Sequence, residues 1–426
     1  MADRAAKHVK SGGKWVSPYS LDPSSIVLED QGSRFTGRVR SSLYPEIKFE
    51  LDVRIHENGV VRVRMDEKEG LRKRYDKAAS WALLKEPTLS SSSKWSAGKE
   101  EVKIVYGEED QVEVVVEFEP LVVRVKRDEK DEIVLNGQGL LHMEHFRKKV
   151  ANGEGIREAS PNSWFEGDAE DGLWEETWKS WTDTKPKGEF RDLWVLVTLH
   201  SHCSLAGPES LSLDINFPHH GHVYGIPQHA TRLDLPTTKG EGALFDGPYR
   251  LYNSDVIRYP ASSTMSLYGT IPFIQAHSVD STVGVFVAVA SETWVDIAHP
   301  TQLSTETHWV SESGILDVFL LPGPTPDQVS YQYATLTGPT QLPPHWSLAY
   351  HQCRWSYVSS DDIRSVQRRF DEEDIPVDVF WLDIEYSEDY KYMIWDKRCF
   401  PDPMDMIKEV EARARKVKCS DLSRCC

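Results

Sequence analysis

Between residues 33 and 146 the apolar positions recur every second residue. Phe49, Leu51, Val53 and Ile55 alternate with charged neighbours, Asn58-Gly59 supplies turn residues, and Val61, Val63 and Met65 carry the alternation back. Successive side chains of a strand point to opposite faces, so this spacing predicts a β-hairpin with one face in a core. The same rhythm at residues 102–106 and at Val112, Val114, Val116 and Phe118 predicts more of an antiparallel sheet whose other face meets water. Residues 147–188 break the pattern; they are polar and acidic, with Trp164, Trp174, Trp178 and Trp181 scattered through them, and predict a long surface connection with aromatic anchors. Short apolar runs at residues 211–217, 265–274, 283–289 and 315–321, punctuated by Gly and Pro, extend an all-β sandwich over about residues 30–335.

After Pro343-Pro344 the period changes. Residues 348–354 predict a short strand, and Ser360-Asp361-Asp362 predicts the cap of a helix with Ile363, Val366 and Phe370 on one side. Residues 377–382 (VDVFWL) are nearly continuous apolar sequence, the pattern of a parallel strand covered on both faces. Asp402-Pro403 starts a second helix, with Met404, Ile407 and Val410 on one side. Strand, helix, strand, helix opens an α/β barrel or a doubly wound sheet. The polar residues 418–426 (KCSDLSRCC) show no buried-strand pattern, so the series is expected to stop there.

Charge removes several functions. Lys and Arg total 49 against 67 Asp and Glu, a net charge of −18, which repels nucleic-acid phosphates and anionic lipid alike. The longest apolar run near the middle, residues 193–199, is far short of the roughly 20 residues of a bilayer span, so no membrane insertion is expected. The first residues carry no apolar core of a signal peptide, which as written implies the cytosol. Six irregularly spaced cysteines, three of them in the last eight residues, argue against a disulfide framework.

The strongest chemical signal is Asp383-Ile384-Glu385 at the end of the second strand, the end that faces the active site in a βα barrel. Two residues apart on a strand, the two acids project to one face roughly 6.6 Å apart at about 3.3 Å per residue. That separation admits a glycosidase carboxylate pair, and equally two acids that bind substrate hydroxyls or cap the next loop. His219, His220, His222 and His229 invite a zinc reading, but no Cys, Asp or Glu stands among them, and a polar turn is the reading adopted. The tryptophan-rich stretches suit either a core or sugar-stacking platforms. The run Glu108-Glu109-Asp110 reads as a solvated turn.

Eight segments, in order along residues 15–415, resemble glycoside hydrolase family 31. They are residues 15–25 (WVSPYSLDPSS), 174–177 (WEET), 222–230 (HVYGIPQHA), 248–255 (PYRLYNSD), 292–297 (ETWVDI), 309–321, 351–357 (HQCRWSY) and 381–385 (WLDIE). The resemblance implies a mixed β and α/β fold, a galactose-mutarotase-like β-sandwich followed by a TIM-type (β/α)8 barrel. Of that barrel this sequence supplies the first two βα units. The implied domains are an N-terminal segment 1–30, the sandwich 31–335 with an irregular connection 147–206, and the start of the barrel 336–426.

The family implies a retaining exo-acting α-glucosidase that trims glucose from N-linked glycans in the endoplasmic-reticulum lumen. It also implies a noncatalytic beta subunit as partner, with no cofactor and no metal. Carried onto this sequence, Asp383 matches the aspartate that accepts hydrogen bonds from the glucose in the −1 subsite, with Ile384 beside it and Trp355 near the same pocket. Tyr252 and Asp255 match the ends of a sandwich loop reaching toward the +1 sugar. The family's nucleophile lies in a W-x-D-M-N-E segment on a later strand, its acid/base beyond that, and these residues contain neither. No catalytic residue is therefore assigned, and a truncated, inactive chain is expected; the alternative is a noncatalytic carbohydrate-binding or interaction module. Residues 189–206 stand as an insertion relative to the family, residues 287–290 replace its usual W-L-N-A, and the sequence leaves the family pattern after Lys416.

Overall fold

The structure, a computed structural model, describes residues 16–29, 32–70, 72–145, 209–391 and 393–419, together with the backbone of Arg147–Lys148 and Leu173–Trp174. The insertion at 189–206 and Trp164, Trp178 and Trp181 lie outside these residues. The chain divides into two units, Met1–Pro339 and Thr340–Cys426.

In the first unit the period-two segments become strands. Lys48–Ile55 pairs antiparallel with Val61–Lys68, placing Leu51 opposite Met65 and Val53 opposite Val63. Gly59, at φ +81°, takes the left-handed conformation the turn requires, and the Asn58 side chain accepts the Val60 N–H at 3.2 Å. Among the described residues this hairpin sits in a nine-stranded sheet, and Leu211–Phe217 sits in a ten-stranded one. Phe35, Leu51 and Val63 from the first sheet share one core with Ile104, Val114, Ile215 and Trp309 from the second. The buried Trp309 indole N–H donates to the Thr307 hydroxyl at 2.9 Å. A two-sheet β-sandwich is therefore the architecture of this unit.

Helix Pro326–Thr337 closes the unit. Thr325 accepts from the Gln328 N–H while Gln328 reaches back to the Thr325 N–H, a reciprocal capping box with Pro at the first position. Its inner face, Val329 and Leu336, packs on Phe286 and Phe319. The strand expected over 265–274 begins only at Phe273 and runs on to His277. Pro272 has no N–H for a ladder, and its carbonyl instead accepts from Val287.

The second unit runs β1 (His351–Arg354), α1 (Ser360–Glu372), β2 (Val379–Leu382), α2 (Pro403–Glu411) and β3 (Lys416–Cys419). Both strand pairs are parallel, with β2 in the centre. β3 corrects the expectation that no strand pattern follows α2. Buried Val417 and Cys419 alternate with Lys416 and Lys418, a pattern only four residues long in which a thiol serves as a small apolar group. The cap of α1 is Ser359 rather than Ser360; its hydroxyl accepts the Asp362 N–H at 3.1 Å. On α2 the buried stripe is Met406, Ile407 and Val410, while Met404 in the first turn is exposed. Phe380, Leu382, Val417 and Cys419 pack with Ile363, Phe400, Met406 and Val410 in one core.

Candidate functional site at the carboxyl ends of the parallel strands

β1 and β2 pair with Arg354 beside Leu382, so the residues that follow each strand, Trp355 and Asp383, leave the sheet at neighbouring points. Trp355 is 75% exposed. Ser356, at φ +77°, turns the chain back toward α1. Behind it Arg354 is held twice, with Nη2 2.5 Å from the Asp362 carboxylate and its guanidinium 4.3 Å over the Tyr357 ring.

The two acids of the D-x-E segment do not share a strand face. β2 ends at Leu382, and the Ile384 carbonyl accepts both the Ser387 N–H at 3.1 Å and the Ser387 hydroxyl at 2.5 Å, closing a turn. The strand-rise separation expected for Asp383 and Glu385 therefore does not apply. Their surroundings differ too. Asp383 is half-buried, and its carboxylate makes no hydrogen bond among the described residues. Both Glu385 carboxylate oxygens are buried, again with no partner among the described residues. The two converge on Cys353 of β1, whose thiol is pushed above its ordinary range by burial and then by the negative charge of Asp383 and Glu385.

The turn is braced from below. Tyr386 is fully buried, with its ring 4.9 Å from that of Trp395, which lies 5.7 Å from Phe400. Asp396 is held by the Arg398 guanidinium at 2.9 and 3.1 Å, and this hydrogen bonding keeps its carboxyl below the usual range. The turn thus sets the Asp383 carboxylate and the exposed Trp355 indole at the carboxyl end of the sheet, with the unpartnered Glu385 carboxylate buried beside them. Carboxylates accept hydrogen bonds from hydroxyls, and an indole face covers the C–H face of a pyranose.

Tyr252 and Asp255 belong to the first unit and are considered there. Tyr252 is exposed beneath the Arg250 guanidinium, 4.6 Å from its ring, and Arg250 is paired with Glu292. The Asp255 carboxylate accepts the Tyr268 hydroxyl at 3.0 Å. The four histidines do not converge: His220 meets Glu132 at 3.2 Å, His222 meets Asp234 at 3.3 Å, and His229 contacts the Ile226 and Arg250 carbonyls. Two of these partners, Glu132 and Asp234, are acids outside the histidine segment, a feature that reading neighbours along the chain misses. Glu385 was visible as half of a D-x-E motif, but its lack of partners was not.

Residues 50–296 match the glycosyl hydrolase 31 N-terminal galactose mutarotase-like domain. The chain belongs to glycoside hydrolase family 31. Residues 340–420 match the TIM-barrel domain of the same family, and the site described above lies in that stretch. Glucosidase 2 subunit alpha of Schizosaccharomyces pombe is 37% identical over 388 residues, 87% of this chain and 39% of that protein. The family-31 chain thus spans about two fifths of the length of the curated relatives it matches. A crystal structure of ER glucosidase II, a heterodimer of catalytic subunit and regulatory-subunit binding domain, superposes with a TM-score of 0.78 at 35% identity. It covers 98% of this chain and 45% of that one. A glucosidase II alpha subunit bound to Glc1Man2 matches with the same TM-score and identity, over 98% of this chain and 44% of that one. No helix among the described residues is long and apolar enough to cross a membrane.

Proposed function

We propose that these residues form the glucose-recognising portion of a family-31 α-glucosidase of the glucosidase II alpha type. The observation that carries this reading is Asp383, an unengaged carboxylate at the carboxyl end of the central parallel strand. Asp383 accepts hydrogen bonds from hydroxyls of the −1 glucose, Ile384 and Trp355 line the same pocket, and Tyr252 and Asp255 of the sandwich serve the +1 sugar. The substrate of the whole enzyme is an α-glucoside, with the terminal glucose of an N-linked glycan as its physiological form. Its partner is the glucosidase II beta subunit and its compartment the endoplasmic-reticulum lumen, a reading supported by the relatives named above.

Retaining hydrolysis needs a nucleophile and an acid/base about 5 to 5.5 Å apart. Residues 1–426 contain no W-x-D-M-N-E segment, so these residues by themselves bind sugar without cleaving it. The test is a glucose and maltose titration of the chain with and without Asp383→Ala, beside an assay on a chromogenic α-glucoside. Binding weakened in the Asp383 variant, with no turnover above buffer, supports the proposal. Turnover well above buffer overturns the inactivity, and sugar binding indifferent to Asp383 overturns its role.

A further inference from the structure

The sandwich unit holds a polar cleft of about 380 Å³, within the roughly 300–1,000 Å³ of small-molecule sites. Its walls are the Asn58-Gly59 hairpin of one sheet, residues 106–112 of the other and the first half of helix Pro326–Thr337. These walls are tied together across the cleft. The Tyr106 hydroxyl donates to the Gly59 carbonyl at 2.9 Å, and Gln332 donates to the Asn58 carbonyl at 3.1 Å while accepting the Gly323 N–H at 3.1 Å. The cleft is a feature of the packed fold rather than of a single loop.

Several polar groups of its lining remain unspent. His56 is only 1% exposed, and apart from its contact with the Thr88 backbone its ring nitrogens have no hydrogen-bond partner among the described residues. Arg127 is anchored through Nη2 to the Pro322 carbonyl at 3.0 Å, but its Nε is buried without a partner. A buried polar atom left unmatched is costly, and a ligand able to match it offsets that cost. At the rim Tyr331 stands 66% exposed.

The lining also selects the ligand's chemistry. Among the described residues Arg127 is the only strong cation of the lining, which also holds Glu57 and Glu108, so the cleft does not favour an anion. His56 is uncharged at neutral pH, because burial pulls its pKa down to about 4 against the opposing contact with the Thr88 backbone. A neutral imidazole offers one donor and one acceptor, a guanidinium donates and carboxylates accept. Hydroxyl groups, which do both, match this set, and an exposed tyrosine ring suits the C–H face of a pyranose.

We propose that this cleft is a second, noncatalytic carbohydrate site that takes a neutral glucose unit or disaccharide, with His56 and Arg127 on its hydroxyls and Tyr331 against its ring. It is separate from the Asp383 site and goes beyond the function proposed above.

Maltose is titrated into the full chain by calorimetry for wild type, Asp383→Ala, Tyr331→Ala and the double variant, with His56→Phe as a second probe of the cleft. Tyr331 is exposed, so its replacement leaves folding intact even if that of His56 does not. The expected result is residual maltose binding in Asp383→Ala, weakened about fivefold or more by adding Tyr331→Ala. Binding abolished by Asp383→Ala alone, or unchanged by Tyr331→Ala in the Asp383→Ala background, overturns the cleft site. Binding that ignores Asp383 but falls with Tyr331→Ala supports the cleft and removes the Asp383 role, so the two readings fail separately.

Discussion

Trp381 donates its indole N–H to Nδ1 of His351 at 2.8 Å, across the seam between the first two parallel strands. With Nδ1 accepting, neutral His351 carries its proton on Nε2, which lies 3.1 Å from the Ser347 carbonyl. The Trp346 ring stacks over the same imidazole, with centroids 6.3 Å apart. Three aromatic side chains thereby set the spacing of β1 and β2 just before Trp355 and Asp383 emerge. Trp381→Phe keeps the ring and removes the donor, so it should cost about 0.5–1.5 kcal/mol. Urea unfolding followed by near-ultraviolet circular dichroism would read this; an unchanged midpoint would mean that the hydrogen bond adds nothing to the seam.

Arg62 and Asp317 form a buried bidentate pair, with both nitrogen–oxygen distances at 2.7 Å, joining two adjacent strands of the nine-stranded sheet. Burial disfavours the guanidinium charge, but the hydrogen bonds and charge of Asp317 prevail and raise its pKa. Asp317→Ala leaves that guanidinium with only the exposed Glu86 carboxylate, 2.9 Å from Nη1, and should destabilise the sandwich by about 2–4 kcal/mol. The double variant Arg62→Met with Asp317→Leu removes both charges and should lose less than Asp317→Ala alone. Equal losses would show that shape, not charge, holds this part of the sheet.

What could be read from the sequence divides along physical lines. The 48–68 hairpin and the Leu211–Phe217 strand were legible because one buried face writes an alternation over six or more residues. β3 was not, since two buried residues alternating with lysines are too short a signal. The cap of α1 was displaced by one position because Ser359 and Ser360 both qualify and only the backbone chooses. Asp383 and Glu385 were legible as chemistry, but not as geometry, because nothing in the segment announces that β2 ends at Leu382. The cleft at His56 left no local trace; residues 56, 106, 127 and 331 meet only through topology.

Glu67 gives a pH dependence of definite sign. Burial pushes its carboxyl up to about 7, opposed by Arg74 and assisted by Asp66 and Glu209. A folded-state pKa above the unfolded value means that the fold prefers the protonated acid. The contribution is complete below the ordinary value of 4.5 and is lost as pH rises through about 7. His56 and His308, both drawn down by burial to about 4, act in the other direction, losing stability as pH falls below 6.5. Glu67→Gln isolates the first effect: relative to wild type it should gain stability between about pH 5 and about pH 8. Parallel urea midpoints for the two proteins across that interval would exclude it.

Glu385 should trade stability against binding. Both its carboxylate oxygens are buried without a partner among the described residues, and a charge left so costs folding free energy until something donates to it. Glu385→Gln removes the charge at nearly constant shape and should raise the unfolding free energy by about 1 kcal/mol while weakening glucose binding. Asp383→Asn, at a half-buried and hydrogen-bond-free position, should leave stability within about 0.5 kcal/mol and still lose sugar affinity. Midpoints and glucose titrations of the two variants separate these behaviours. If Glu385→Gln instead destabilises the chain, its carboxylate is satisfied within the fold and supports the turn rather than awaiting a sugar.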